Sequence, residues 1–151
     1  MNIGSQTDDS KLETLSNFLH QLKEQLAPKT EIKVIAGDWK HQIAYNESCQ
    51  IFNRRFQKKP WAIIYCTEPN DVKNTYKLAI SLGLPVRIRA GGHDHEGECT
   101  GTNTILIDVS KMDKVTIEKS GLAHIGPGNI FKNLTTKLAD KDVMIAHGTC
   151  A

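Results

Sequence analysis

The sequence lacks a marked excess of either charge: 19 lysines and arginines against 17 aspartates and glutamates leave a formal net charge of +2 over 151 residues. A net charge this small does not favour binding to nucleic acid or to an anionic membrane surface. No apolar run is long enough to span a bilayer, and the polar start MNIGSQTDDSKLE has no apolar core typical of a signal peptide. We therefore expect a cytoplasmic protein, although a secreted enzyme without its leader would look the same.

Paired cysteines are missing as well. The chain has four cysteines, and none of them forms a CxxC pair, which argues against a zinc ribbon and against a dense disulfide framework. We interpret three of them as structural or incidental: Cys49, Cys66 and Cys99. Of the histidines, we expect His20 and His41 at the surface and no function for His124.

The first third of the chain predicts one helix and one short strand. Leucines and a phenylalanine at helical spacing indicate an amphipathic helix over residues 10–26, with Ser10 and Glu13 at the spacing of a capping box and Pro28 closing the element. IKVIA at 32–36 predicts a strand. Residues 37–59 are polar and show no regular pattern.

A strand, a helix and a second strand follow with short connections. WAIIYC at 61–66 is typical of a buried strand, residues 70–83 predict a helix capped by Asn70 and ended by Gly83, and PVRIRA at 85–90 predicts the next strand. Such a βαβ unit predicts parallel strands with a right-handed crossover.

The remaining sequence predicts three closely spaced strands, a helix and a last strand. Residues 104–110, 114–120 and 122–126 suggest an antiparallel meander. A helix is predicted over 129–141, capped by Asn129 and buried along Phe131, Leu134 and Leu138, and VMIA at 143–146 predicts a final strand. The expected class is α+β, built around mixed sheets.

The stretch RIRAGGHDHEGECTG at 87–101 has the highest concentration of candidate functional residues, and three interpretations of it compete. A metal could be bound by His93, His95 and Cys99, with Asp94 and Glu96 nearby, but the spacing matches no zinc pattern.

The other two interpretations involve a cofactor. Gly91 and Gly92 follow a strand, and paired glycines let backbone N–H groups approach a phosphate, although no GxGxxG motif is present. GPGN at 126–129 is a second turn that would suit an anion at a helix N-terminus. His93, next to the glycine pair, is also placed to bond covalently to a cofactor held there.

The run from Pro60 to Cys150 resembles the first half of the FAD-binding domain of vanillyl-alcohol-oxidase-like, PCMH-type flavoproteins, most closely the branch of berberine bridge enzymes and oligosaccharide oxidases. The resemblance implies residues 1–32 as a helix and lead-in, and residues 33–151 as the first half of that domain. The matching residues are Asn53 to Phe56, Pro60, Asp71 and Val72, GLPVRIRAGGHDHEG at 83–97, Asp108, Ser110, GPGN at 126–129 and HGTC at 147–150.

The resemblance implies FAD as the cofactor, with no metal. It implies that His93 carries the flavin through the 8α-methyl group and that Cys150 bonds to C6 of the ring; a simple buried thiol is the alternative for Cys150. His147 either touches the flavin or packs. Ala90, Asp94 and His95 depart mildly from the family pattern. The implied cofactor-binding residues are Arg89, Ala90, Gly91, Gly92, His93, Asp94, His95, Gly97, Gly126, Gly128, Gly148, Thr149 and Cys150.

The implied activity is that of an FAD-dependent oxidase that takes hydride from a sugar or alcohol hydroxyl, with O2 as acceptor. The alternatives are a flavin oxidase that tailors natural products, or a non-catalytic half of a flavin domain that needs a complementary chain. The expected partner is a small-molecule substrate, and the general base is expected outside these residues.

Overall fold

The computed structural model describes residues 6–34 and 39–146. Four helices and six strands form along this part of the chain. In chain order they are α1 (Gln6–Lys23), β1 (Glu31–Val34), α2 (Trp39–Ser48), β2 (Ala62–Tyr65), α3 (Pro69–Ser81), β3 (Val86–Arg89), β4 (Ile105–Asp108), β5 (Val115–Ile117), β6 (Ala123–Ile125) and α4 (Phe131–Ala139).

A four-stranded sheet in the order β1-β2-β4-β3 organises the fold. β2, β4 and β3 are parallel, and β1 pairs antiparallel with β2. The mixed sheet confirms the α+β class. It also confirms that β2 and β3 are parallel, but β4 lies between them, so the two strands of the βαβ unit are not neighbours.

The predicted meander is wrong for its first strand. All four residues of β4 are buried, which requires cover on both faces, and a central position between two parallel strands provides it. Only β5 and β6 form an antiparallel pair, in a separate two-stranded sheet.

Helices cover both faces of the four-stranded sheet. On one face, Phe18 and Leu22 of α1 and Ala79 of α3 pack in a cluster with Ile64 and Ile107. On the opposite face, Tyr45 of α2 and Cys49, just beyond the end of that helix, form a smaller cluster with Ile63 and Leu106. Because neighbouring residues of one strand supply opposite clusters, the sheet is the middle layer of three.

The β2–α3 junction is held by a buried carboxylate. Asp71 accepts hydrogen bonds from the Ala27 N–H at 2.8 Å, the Thr30 hydroxyl at 2.6 Å and the N–H groups of Thr67 and Glu68. Burial alone would raise the pKa of this carboxyl, but the hydrogen bonds outweigh burial, and the pKa is lowered. Asp71 thereby ties the segment after α1 to the start of α3.

Several predicted boundaries are wrong. α1 begins at Gln6, so Ser10 lies inside it and cannot cap it, and it ends at Lys23, well before Pro28. α3 is capped by Glu68, which forms a capping box with Asp71, so Asn70 is not the cap. Gly83 does follow the end of α3 with φ +68°, as predicted.

The predictions for the α2 region and for the start of α4 are also wrong. α2 occupies part of the stretch that was predicted to be irregular. α4 begins at Phe131 after Ile130, while the Asn129 side chain donates to the Gly126 carbonyl oxygen instead of capping the helix. Phe131 is partly exposed, so only Leu134 and Leu138 of the predicted buried face are buried.

The predicted strand at 143–146 does not form. Val143 and Met144 are exposed, at 40% and 86%, and no strand among residues 6–34 and 39–146 pairs with them. None of the described helices is long and apolar enough to cross a membrane.

Candidate functional site

The candidate site lies at the carboxyl ends of the parallel strands. The register aligns Tyr65 of β2 and Arg89 of β3 with Asp108 of β4, so the three strands end level. In open sheets of this kind, ligands bind at that edge. The segment that leaves β3 there, residues 90–99, contains the paired glycines and both histidines, and we call it the glycine–histidine loop.

A buried ion pair fixes the base of this loop. Nε of Arg89 donates to Oδ2 of Asp108 at 2.6 Å, and both side chains are almost fully buried. Nη1 of Arg89 also donates to the Ser48 carbonyl oxygen at 2.8 Å, and the other oxygen of Asp108 accepts from the backbone and hydroxyl of Ser110. Arg89 therefore anchors the loop between β4 and the end of α2. Its contact with the cofactor stays a prediction.

Five successive residues of the loop have backbone donors without a partner in the described chain. The N–H groups of residues 91–95 have no acceptor within the described parts of the chain. Gly92 has φ +70°, a conformation that side-chain-bearing residues rarely adopt. Successive free N–H groups around such a residue form a concavity that suits an anion. The residues present therefore fit a phosphate-bearing cofactor.

Asp94 closes the far side of the loop. Its carboxylate accepts from the Glu96 N–H at 3.1 Å and from the Cys99 N–H at 2.9 Å. The hydrogen bond from Glu96 is the main cause of a lowered pKa for the Asp94 carboxyl. The carboxylate is thus engaged within its own loop, and no group of three His, Cys, Asp or Glu side chains among the described residues is arranged to hold a metal ion.

The segment 51–58 supports the loop through hydrogen bonds, a role that was not predicted from the sequence. The Phe52 N–H donates to the Gly92 carbonyl oxygen at 2.9 Å, Nδ2 of Asn53 to the His95 carbonyl oxygen at 2.7 Å, and Nζ of Lys58 to the Gly97 carbonyl oxygen at 2.9 Å. The Phe56 ring lies so close to Gly97 that a Cβ there would meet it at 2.7 Å. In the sequence FNRRF, Asn53 and Phe56 were the residues that could have indicated this contact with the loop.

Both loop imidazoles lie against one aromatic ring. The Phe52 ring is stacked on the exposed His93 ring, with centroids 5.0 Å apart and planes 21° apart, and it meets the His95 ring edge-on at 5.9 Å. His93 and His95, two residues apart, therefore contact the same side chain.

The second glycine turn, at 126–129, packs against neighbouring backbone. The Gly126 N–H donates to the Lys114 carbonyl oxygen at 2.9 Å and the Gly128 N–H to that of Met112 at 3.0 Å. A Cβ on Gly126 would lie 2.0 Å from the Met112 oxygen, and one on Gly128 2.4 Å from the Ser110 oxygen. These two amides are thus not available to an anion, and the glycines are needed for backbone packing. Contact of either residue with the cofactor through other atoms stays a prediction.

The remaining predicted site residues, His147, Gly148, Thr149 and Cys150, lie outside the described residues. Of the other cysteines, Cys49 and Cys66 are buried, and burial raises the pKa of the Cys66 thiol to about 12. Cys66 is thus core, as expected, and not a nucleophile.

Comparison with known proteins decides the family. The model of the FAD binding domain family matches residues 60–151, well over half of the chain. The chain belongs to this FAD-binding family. FAD as the cofactor and the PCMH-type flavoprotein fold are thereby confirmed.

Several relatives of this FAD-binding chain are oxidases or FAD-linked oxidoreductases by name. The carbohydrate oxidase of Microdochium nivale is 30% identical over 111 residues, which cover 70% of this chain and 22% of the relative. Berberine bridge enzyme-like 18 of Arabidopsis thaliana is 30% identical over 110 residues, covering 68% of this chain and 21% of the relative. These names confirm the predicted branch.

The fold is also similar to a solved structure. The crystal structure of the Microdochium nivale carbohydrate oxidase with a substrate analogue superposes with a TM-score of 0.73 at 24% identity, covering 88% of this chain and 28% of that one. The FAD-binding chain thus spans about a quarter of the length of the relatives that it matches.

Proposed function

We propose that the protein carrying this chain is an FAD-dependent oxidase with a covalently bound flavin, and that the glycine–histidine loop holds the cofactor. The row of free N–H groups over residues 91–95, next to the exposed imidazole of His93, is the observation that supports this function best. FAD carries an anionic pyrophosphate, and successive free backbone donors next to a left-handed glycine suit such an anion.

FAD, when bound, supplies the electron-accepting ring to which a substrate can transfer hydride. The chain supplies fixed donors for the phosphates and a nucleophile beside them. An imidazole nitrogen of His93 would hold the flavin through a bond to its 8α carbon. Forming this bond would release the imidazole N–H hydrogen and one methyl hydrogen with two electrons, which O2 would take up as hydrogen peroxide.

A second covalent link, from Cys150 to the flavin, rests on the sequence motif Gly148-Thr149-Cys150. Two attachments would hold the ring without a deep enclosing pocket, which leaves room for a bulky substrate. The general base is expected outside this chain, within the remaining part of the protein.

The substrate class that we favour is a sugar or an alcohol. The name of the Microdochium nivale relative supports sugar oxidation. The berberine bridge enzyme-like relative supports the second candidate, oxidation of a natural product. Residues 33–151 would be the first half of the FAD domain, and activity would need the rest of it, in the same chain or as a complementary one.

The covalent link is tested on the full-length protein by acid precipitation, followed by absorption spectroscopy and intact mass of the pellet. Wild type should retain flavin and carry the added mass of FAD. His93→Ala should lose this link, so that any flavin retained depends on Cys150, and the double variant with Cys150→Ala should release all flavin. His95→Ala, two residues away, is the matched control and should keep the covalent flavin.

Retention of all flavin by the double variant, or its loss in His95→Ala alone, would place the bond elsewhere. Peroxide release during a screen of sugars, alcohols and alkaloid-like alcohols then separates the two substrate classes. No peroxide with any of them, from a protein that carries flavin, would contradict the oxidase proposal.

A further inference from the structure

We infer that Phe52 is a positioning residue that orients the imidazole of His93 for its bond to the flavin. The inference rests on the proposed function, because it assigns a role in the attachment step at the same site. Neither the glycine pair nor the histidine motif contains this residue, since Phe52 precedes them by some forty positions.

The Phe52 side chain has no place in the core. It is 59% exposed, and its ring contacts are with the imidazoles of His93 and His95. Neither of the two buried apolar clusters includes it. Its position is therefore explained by the histidines and not by burial.

Phe52 and both of its neighbours in the chain contact the glycine–histidine loop. Ile51, just before it, is buried and lies against Gly92. The Phe52 N–H donates to the Gly92 carbonyl oxygen at 2.9 Å, and the following Asn53 donates to the His95 carbonyl oxygen at 2.7 Å. The residue that carries the Phe52 ring is thus hydrogen-bonded to the loop whose histidine the ring contacts.

Stacking restricts the imidazole without consuming its nitrogens. An exposed histidine otherwise samples several side-chain rotamers, and only some of them direct a ring nitrogen at a given carbon. A parallel ring partner favours one of these orientations by roughly two- to tenfold and leaves the nitrogens at the ring edge free to react. Losing the ring should therefore slow the bond-forming step and leave reversible FAD binding in place.

The test follows covalent incorporation of FAD into the full-length apoprotein. The rate is measured as flavin that resists acid denaturation, and the affinity of the reversible complex is measured separately. Phe52→Leu keeps an apolar side chain without a ring and should slow incorporation roughly two- to tenfold, with affinity nearly unchanged. Phe52→Tyr keeps the ring and should restore the wild-type rate.

Tyr76→Leu is the matched control, because Tyr76 is a similarly exposed aromatic residue, at 49%, on α3. It should leave the rate of incorporation unchanged. A wild-type rate in Phe52→Leu, or an equal loss in Phe52→Tyr, would overturn the inference.

A second measurement separates this inference from the proposed covalent link. In the apoprotein with labelled histidine, the ring protons of His93 should show a ring-current shift that disappears in Phe52→Leu and persists in Tyr76→Leu. If wild type forms no acid-resistant flavin, the proposed function fails at this bond. The inferred orientation of His93 is overturned separately if the His93 resonances do not respond to Phe52→Leu.

Discussion

The two glycine turns of this chain look alike in sequence and differ in what their amides do. At Gly126 and Gly128 both N–H groups donate to carbonyl oxygens of the neighbouring backbone, and an added Cβ would overlap those oxygens. At Gly91 and Gly92 the N–H groups have no acceptor in the described chain, and an added Cβ would meet nothing closer than 3.5 Å. The first pair closes the backbone upon itself, whereas the second pair leaves donors for a ligand.

The largest expected difference between the turns concerns the ion pairs beside them. Asp108→Asn leaves the Arg89 guanidinium buried beneath the glycine–histidine loop without its counter-charge, which should lower the free energy of unfolding by about 3–5 kcal/mol. Asp113→Asn removes the exposed partner of Lys137 beside the second turn and should cost no more than about 1 kcal/mol. Denaturant unfolding measures the loss of stability in each variant. Equal losses of unfolding free energy in the two variants would contradict the predicted difference between the turns.

The glycines themselves should respond in the opposite order. Gly126→Ala places a Cβ against the Met112 carbonyl oxygen and should destabilise the fold by about 3 kcal/mol. Gly91→Ala meets only the His93 ring at 3.8 Å, so its stability should stay within about 0.5 kcal/mol of wild type, while FAD binding weakens. Thermal unfolding measures the predicted changes in stability, and FAD titration measures the predicted change in affinity. A Gly91→Ala protein that binds FAD normally would contradict the assignment of this turn to the cofactor.

The smallest expected effect is one of pH on the glycine–histidine loop. The pKa of Asp94 is lowered in the folded protein, so its hydrogen bonds to the loop are present above the unfolded value of about 3.9 and are lost as the pH falls through the lower folded value. FAD affinity should be level above about pH 5 and decline below about pH 4.

Asp94→Asn isolates this contribution. It should bind FAD roughly two- to tenfold more weakly at neutral pH, because one amide replaces two acceptor oxygens, and the additional decline in acid should be smaller than in wild type. An unaltered acid decline in this variant would assign the pH effect to other carboxylates.

The parts of the fold that could be predicted are those with local signals. Neighbouring residues alone are enough to recognise the apolar run 61–66, the helix that ends just before Gly83, and the strand before the paired glycines. The position of β4 depends on contacts across the sheet. Its continuous apolar sequence, buried on both faces, was nevertheless a signal for a central strand.

The segment 51–58 and α2 had weaker signals. α2 has no acidic residue in its first turn and no basic residue in its last, and no apolar stripe marks its buried face, so nothing in the local sequence predicts a helix. The contacts of Phe52, Asn53 and Lys58 with the glycine–histidine loop join segments some forty residues apart, which periodicity cannot reveal. Periodicity also cannot reveal why glycine is required at positions 126 and 128, because the requirement comes from the backbone of the distant segment 110–114.

A crystal structure of the full-length protein with FAD would test the central claim most directly, through the distances from the pyrophosphate oxygens to the backbone nitrogens of both turns. We expect at least two nitrogens of residues 91–95 within about 3.2 Å of phosphate oxygens, and neither Gly126 nor Gly128 donating to them. A pyrophosphate held elsewhere, with the N–H groups of residues 91–95 facing water, would contradict the account.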